Sequence, residues 1–190
     1  QSPWLRDLGQ TPDPHLSILS LSRNQPHRRG AFSYRAGLAR NRGVQISRGD
    51  YLVFADSDIL VPPDFLQGLV GDFVKADLIQ PQRWQLNSTW SGTSYDDIHF
   101  DRDVILSPGA YWEDFQTQTI PWMTRPAPWT RISSFCLAIK RDDFLDIGGF
   151  KESFVSYGFE DSELGYRFFL GAKKFKLSPV RTFHLYQSSS

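Results

Sequence analysis

Apolar and polar positions fall into short runs separated by breakers along this chain, and the clearest run is Tyr51-Leu52-Val53-Phe54-Ala55. Five apolar residues with β-branched and aromatic content predict a buried strand. The run ends in Asp56-Ser57-Asp58, followed by Ile59-Leu60-Val61 and the breaker pair Pro62-Pro63. Upstream, Phe32 to Ser47 has helical spacing. Leu38 lies between Tyr34 and Arg42 on one face, and Ala36, Ala39, Gly43 and Ile46 keep a close-packing face. Arg35, Arg40 and Arg42 project from the other sides, and Gly49 separates the helix from the strand. Earlier still, His15 to Leu21 alternates well enough for a strand. Residues 1–14 read as a proline-bearing lead-in, and Arg23 to Gly30 as a polar loop.

Downstream, Asp64 to Val70 has helical spacing that continues to Lys75, with Pro63 and Asp64 as start signals. Leu78-Ile79-Gln80 predicts a short strand. Residues 81–131, rich in Trp, Pro, Ser and Thr, read as a long loop or insert of functional kind. Five tryptophans lie there (Trp84, Trp90, Trp112, Trp122 and Trp129), and core packing is the first expectation for each. Ser133 to Ile139 predicts another buried strand, Arg141 to Leu145 a short helix, and Gly148-Gly149 a turn. Asp161 to Leu170 predicts a helix with acids in its first turn, Leu164 and Phe168 four apart, and Gly171 as its stop. Two short strands follow, Lys174 to Leu177 and Val180 to Tyr186.

Composition narrows the class. The 190 residues suit one domain with a sizeable core. Lys+Arg and Asp+Glu are 21 each, so bulk charge gives no case for nucleic acid or an anionic membrane. No apolar run has the length of a membrane span. A cytoplasmic chain, at most peripheral to the inner face of the membrane, is the expectation. The single Cys136 sits in an apolar run and reads as a buried, inert thiol.

Three features ask for one chemistry: Asp56-Ser57-Asp58, Glu160-Asp161, and His184 among apolar and aromatic residues. In open α/β sheets ligands bind at the carboxyl ends of strands. An Asp-x-Asp placed there suits Mg²⁺ or Mn²⁺, ions that also bind substrate phosphates. Imidazole suits Mn²⁺-like ions as well. A metal held by Asp58 and His184 against a diphosphate, with a carboxylate across the pocket to deprotonate a hydroxyl, would be metal-assisted group transfer with a general base. Two acids opening a solvated loop, and acids complementing a helix dipole, are the blander readings.

The ordered set of motifs resembles the GT-A glycosyltransferases of the family 2 type. The matching pieces are Ala39-Arg40-Asn41-Arg42-Gly43, Gly49-Asp50-Tyr51 into Asp56-Ser57-Asp58, Gly148-Gly149-Phe150 with Glu152 and Phe154, Tyr157-Gly158-Phe159-Glu160-Asp161 with Arg167, and His184. The C-terminal part is similar to the galactosyltransferase-type segment of chondroitin-polymerase-like enzymes. The resemblance implies an α/β fold of GT-A type, a Rossmann-like mixed sheet flanked by helices. It also implies a nucleotide-sugar donor, most often a UDP-sugar, a glycan acceptor, and Mn²⁺ or Mg²⁺. Asp58 would be the first metal ligand and His184 a second. Asp56 would lie at the metal and the ribose or uridine side, with Ser57 beside it. Arg35 and Arg40 would touch nucleotide and phosphate. Asp161 would be the general base, Glu160 would bind sugar hydroxyls, and Tyr157 would stack on the acceptor where many relatives have Trp. An Asp base set for in-line attack implies inversion. The family's first strand-loop-helix unit is not found, so the chain reads as a single partial GT-A domain over 1–190 that lacks the N-terminal strands. The alternatives are a non-catalytic sugar- or nucleotide-binding module, a nucleotidyltransferase, which would call for a Gly-rich basic phosphate loop, and a retaining transferase, which the Glu160-Asp161 pair disfavours.

Overall fold

The apolar run Tyr51–Ala55 becomes strand β1, with Leu52 and Phe54 turned into the core. The computed structural model describes residues 35–105, 127–155 and 158–186. The predicted His15–Leu21 strand, the Arg23–Gly30 loop, Trp112, Trp122 and Tyr157 lie outside the described residues. Five further strands follow: β2 (Ile59–Leu60), β3 (Leu78–Leu86), β4 (Val104–Ile105), β5 (Cys136–Lys140) and β6 (Phe175–His184). The helices are α1 (Ala36–Ile46), α2 (Phe65–Phe73), α3 (Phe100–Asp103), α4 (Arg141–Asp146) and α5 (Glu160–Leu170).

The strands form one mixed sheet in the order β1-β5-β3-β6-β2, with β4 pairing on β3. β3 and β6 run parallel; the other pairs are antiparallel. Helices cover both faces. Leu52, Phe54, Leu78, Leu137 and Ile139 meet Val44 of α1, Phe144 of α4 and Leu164 and Phe168 of α5. Ile79, Cys136 and Ala138 point the other way, onto Phe65, Leu69 and Phe73 of α2. This is the α/β mixed sheet flanked by helices that the sequence predicts.

Several elements differ from expectation, each for a local reason. β1 is buried on one face only. Among the described residues it pairs only with β5, at the end of the strand order, and Tyr51 and Val53 are 45% and 38% exposed. β3 runs through Leu86, six residues beyond the predicted Gln80 and into the supposed 81–131 loop. β6 is one ten-residue strand where two were predicted. Prolines hid both continuities. Between the pairs Gln80↔Leu177 and Gln82↔Arg181 the register shifts, and Pro81 and Pro179 both fall in that irregularity, where no ladder N–H is needed. The rest of 81–131 includes a 3-10 turn at Tyr95–Asp97, α3, β4 and a second 3-10 turn at Pro128–Arg131; residues 106–126 lie outside the described set. Trp84 is buried, and Trp129 packs against Tyr166 and Phe169 of α5, so both serve the core. At the end of α5, Gly171 keeps a φ of −76°, and Ala172 takes the left-handed φ of 53° instead. No helix among the described residues is long and apolar enough to cross a membrane.

Candidate active site

The site grows from the carboxyl end of β1. Asp56 leaves the strand with its amide donating to the Phe135 carbonyl at 2.8 Å, and a turn carries the chain into β2. Ile59 of β2 is in register with His184, the last residue of β6. The Leu185 amide donates to the Asp58 carbonyl at 2.9 Å. Strand pairing therefore brings Asp58 and His184 together across 126 residues of sequence, with His184 Nε2 at 3.3 Å from Asp58 Oδ2. The other ring nitrogen, Nδ1, lies 2.7 Å from the Leu185 carbonyl. Burial, with the nearby positive charge of Arg83, pushes the His184 pKa down against the opposing pull of Asp58 and Asp56. A neutral imidazole with Nδ1–H donated to that carbonyl presents its Nε2 lone pair to the carboxylate. Two electron-rich atoms facing each other suit a cation between them.

A second cluster forms where α5 begins. Gly158 and Phe159 take φ values of 93° and 71°, and Phe159 is 76% exposed. A left-handed aromatic residue is strained, and such strain collects at functional sites. The twist sets Glu160 and Asp161 at the helix start. Glu160 is buried; Oε1 takes a bond from Arg40 Nη1 at 3.0 Å, and Oε2 is buried with no hydrogen-bond partner among the described residues. Asp161 Oδ2 accepts the Ser134 amide at 3.2 Å, and Oδ1 accepts the Ser162 amide at 2.8 Å. Burial, then the neighbouring Glu160 charge, raises the Asp161 pKa above the ordinary carboxylate range despite those amides.

Arg40 joins the clusters. Its Nη2 donates to Asp56 Oδ1 at 3.2 Å while Nη1 holds Glu160, and its guanidinium lies 5.4 Å from the Phe150 ring centre. These donors meet carboxylates, so the geometry gives Arg40 a bracing position. The segment 133–136 completes the frame. Gln80 Oε1 accepts the Ser133 amide, Ser134 reaches Asp161, Phe135 reaches Asp56, and Cys136 accepts from Gln80 Nε2. The Cys136 thiol is pushed up to about 12 by burial and then by Asp56, as an inert core thiol should be.

The remaining motif residues fix α1 and α5 relative to each other. Asn41 accepts the Phe150 amide and donates to the Phe150 carbonyl, both at 2.9 Å, and also donates to Glu152 at 3.0 Å. Arg167 donates to the carbonyls of Ile147 and Gly149 and pairs with Glu163. Gly149 has a φ of 67°, and a Cβ there would lie 2.8 Å from Asn41 Oδ1. The Gly148-Gly149-Phe150 turn is thus a knot that holds Arg40 against Glu160.

Asp56, Asp58, Glu160, Asp161, Arg40 and His184 come together through this frame. Ser57 is an exposed turn residue, and Arg35 is the exposed residue ahead of α1; Tyr157 lies outside the described residues. Sequence reasoning missed Arg83, Ser134 and Phe135. Only the tertiary fold, or the place of Ser134 and Phe135 at the head of a predicted strand, marks them. Asp56, Asp58, Glu160 and Asp161 stand against Arg40 and Arg83, an imbalance that a divalent cation would offset. No group of three or more possible metal ligands occurs among the described residues. The Asp58–His184 pair still fits a cation that completes its shell with substrate phosphate and water.

A model of glycosyltransferase-like family 2 matches residues 16–189, and the chain belongs to that family. It is similar to the validoxylamine A glucosyltransferase of Streptomyces hygroscopicus subsp. jinggangensis (strain 5008), 26% identical over 154 residues, covering 72% of this chain and 35% of the relative. The same enzyme from subsp. limoneus is also 26% identical, with 33% of its length covered. The chain therefore spans about a third of the length of these curated relatives. Among solved structures it is similar to GalNAc-T7 with UDP, GalNAc and Mn²⁺, at a TM-score of 0.54 and 20% identity over 80% of this chain and 30% of that one. It is also similar to S. aureus TarS 1–349, at 0.54 and 15% over 78% and 40%. These likenesses establish the GT-A fold, and with the family they make the chain a glycosyltransferase domain.

Proposed function

We propose that this domain transfers a hexosyl unit from a UDP-sugar to a glycan hydroxyl with inversion, assisted by Mn²⁺ or Mg²⁺. The observation that carries the reading is the Asp58–His184 pair at the strand ends, with an imidazole nitrogen 3.3 Å from a carboxylate oxygen. Asp58 and His184 would hold the cation. Asp56, already tied to Arg40, would face the nucleoside side of the donor, with Ser57 and Arg35 at the rim. The UDP and Mn²⁺ named for the GalNAc-T7 structure support this choice of ligands.

When bound, the cation would offset negative charge on the departing nucleotide diphosphate. Asp161 takes the proton of the acceptor hydroxyl as its oxygen bonds to the anomeric carbon. The bond from that carbon to the diphosphate oxygen breaks, and its electron pair leaves with UDP. The raised Asp161 pKa favours proton uptake, and the Ser134 and Ser162 amides fix the carboxylate direction. Glu160 keeps one buried oxygen for a sugar hydroxyl, and Tyr157 would add a stacking surface for the acceptor. The acceptor is read as a surface or capsular glycan assembled on the cytoplasmic side, by the likeness of the C-terminal motif to chondroitin-polymerase-like enzymes.

Calorimetric titration of UDP, with and without Mn²⁺, into the wild-type chain and Asp58→Ala tests the donor site. Binding that needs both Mn²⁺ and Asp58 is expected. Equal UDP affinity in the variant would remove Asp58 from the metal site.

A further inference from the structure

Arg83 has no part in the reading above, yet it stands inside the site. In β3 it is in register with Thr182 of β6, two residues before the Gln85–His184 pair in each strand. Residues two apart share a sheet face, so Arg83 and His184 lie on the same side. The guanidinium carbon is 5.3 Å from the centre of the Phe135 ring, and the Phe135 carbonyl holds the Asp56 amide. Arg83 thus bridges the space between the segment that carries Asp56 and the strand that carries His184. The depressed pKa of His184 is consistent with that proximity.

Its partners set it apart from Arg40. Arg40 lies between two carboxylates of the site, whereas no ion pair of Arg83 occurs among the described residues. Arg83 Nε is buried with no hydrogen-bond partner among those residues. A half-buried guanidinium resting on an aromatic face, with a buried donor unused, is costly unless an anion completes it. Its planar fork matches phosphate and carboxylate oxygens alike.

We propose that Arg83 is a donor-recognition residue that takes an anionic oxygen group of the bound nucleotide-sugar beside the Asp58–His184 pair. The assignment rests on the donor-site reading above. The anionic group has two sources, the diphosphate itself or a carboxylate on the transferred sugar.

Titrations of uridine, UDP, a UDP-hexose and a UDP-hexuronate, each with Mn²⁺, into wild type, Arg83→Gln and Arg83→Lys separate them. If the diphosphate is the source, Arg83→Gln weakens UDP and both UDP-sugars by about 10- to 100-fold, the range of a charge-assisted hydrogen bond, and leaves uridine unchanged. If the sugar carboxylate is the source, only the UDP-hexuronate weakens. In either case Arg83→Lys recovers part of the loss. Unchanged affinities in Arg83→Gln, beside a wild type that binds UDP, would overturn the assignment and leave the donor site standing. Weakening that includes uridine, with a lowered Tm, would reduce Arg83 to packing and overturn it too. A wild type that binds no UDP with Mn²⁺ would sink the donor reading and this assignment together.

Discussion

The two halves of the site are held by opposite means. On one side, Asp56 and Glu160 share a single guanidinium, so their charge is answered from within the protein. On the other, Asp58 and His184 are placed by backbone pairing of β2 with β6, and the group opposite the carboxylate is an imidazole whose pKa is pushed down. The first half is braced before any ligand arrives. The second sets an imidazole nitrogen against a carboxylate oxygen, a pair that the proposed cation would complete. On the function proposed above, such a site would keep its acids in place between turnovers and leave the donor's charge to be met on binding.

The largest effect is expected at Asp161, which belongs to the braced half but is itself held by backbone amides. Asp161→Asn should lower transfer by about 10²- to 10⁴-fold, the usual contribution of a general base, while UDP affinity with Mn²⁺ stays as it was. Steady-state rates beside calorimetry check this, and unchanged turnover would move the base elsewhere.

Next is the brace itself. Arg40→Ala should destabilise the fold by about 3–5 kcal/mol, because Glu160 is left as a buried charge without its partner. Urea unfolding measures it. A double variant, Arg40→Ala with Glu160→Gln, should recover a good part of the loss. No recovery would show that packing on Phe150, rather than the ion pair, is what Arg40 supplies.

On the open half the expected effect falls on metal rather than on folding. His184→Ala should weaken Mn²⁺ by at least the about 10- to 100-fold seen when supporting residues of metal sites are removed. Mn²⁺ titration reads it directly, and an unchanged affinity returns His184 to a structural role.

Gly149→Ala is expected to cost about 1–2 kcal/mol for its left-handed φ alone, plus displacement of Asn41. A thermal melt that matches wild type would mean the knot yields.

The smallest effect concerns pH. The raised Asp161 pKa means that the fold prefers this carboxyl protonated. Its contribution to stability is therefore present in acid and is lost as pH rises through the raised value. Asp161→Asn turns an amide NH2 toward one of the two backbone donors and so has a constant cost, but its Tm relative to wild type should rise from acid to neutral pH. The acid limb of the transfer rate should sit above that range for the same reason. A variant less stable at neutral pH than in acid, relative to wild type, would contradict the sign.

Much of this molecule is local and was readable as such. The Tyr51–Ala55 run, the helix predicted over Phe32–Ser47 and found over Ala36–Ile46, the acids at the head of α5 and the glycine turn before it depend on neighbours within a few residues, where periodicity and turn chemistry act. The motif order also marked Asp56, Asp58, Glu160, Asp161 and His184 as one group. Tertiary structure decided how they are held. That Pro81 and Pro179 share one register shift, so that β3 and β6 run on past them, is a property of two strands together and of neither alone. That Arg40 turns to Glu160 depends on a contact spanning 120 residues, and Arg83 enters the site only because β3 lies beside β6. A side chain's charge is written in the sequence; which charge it meets depends on long-range packing, which periodicity does not encode.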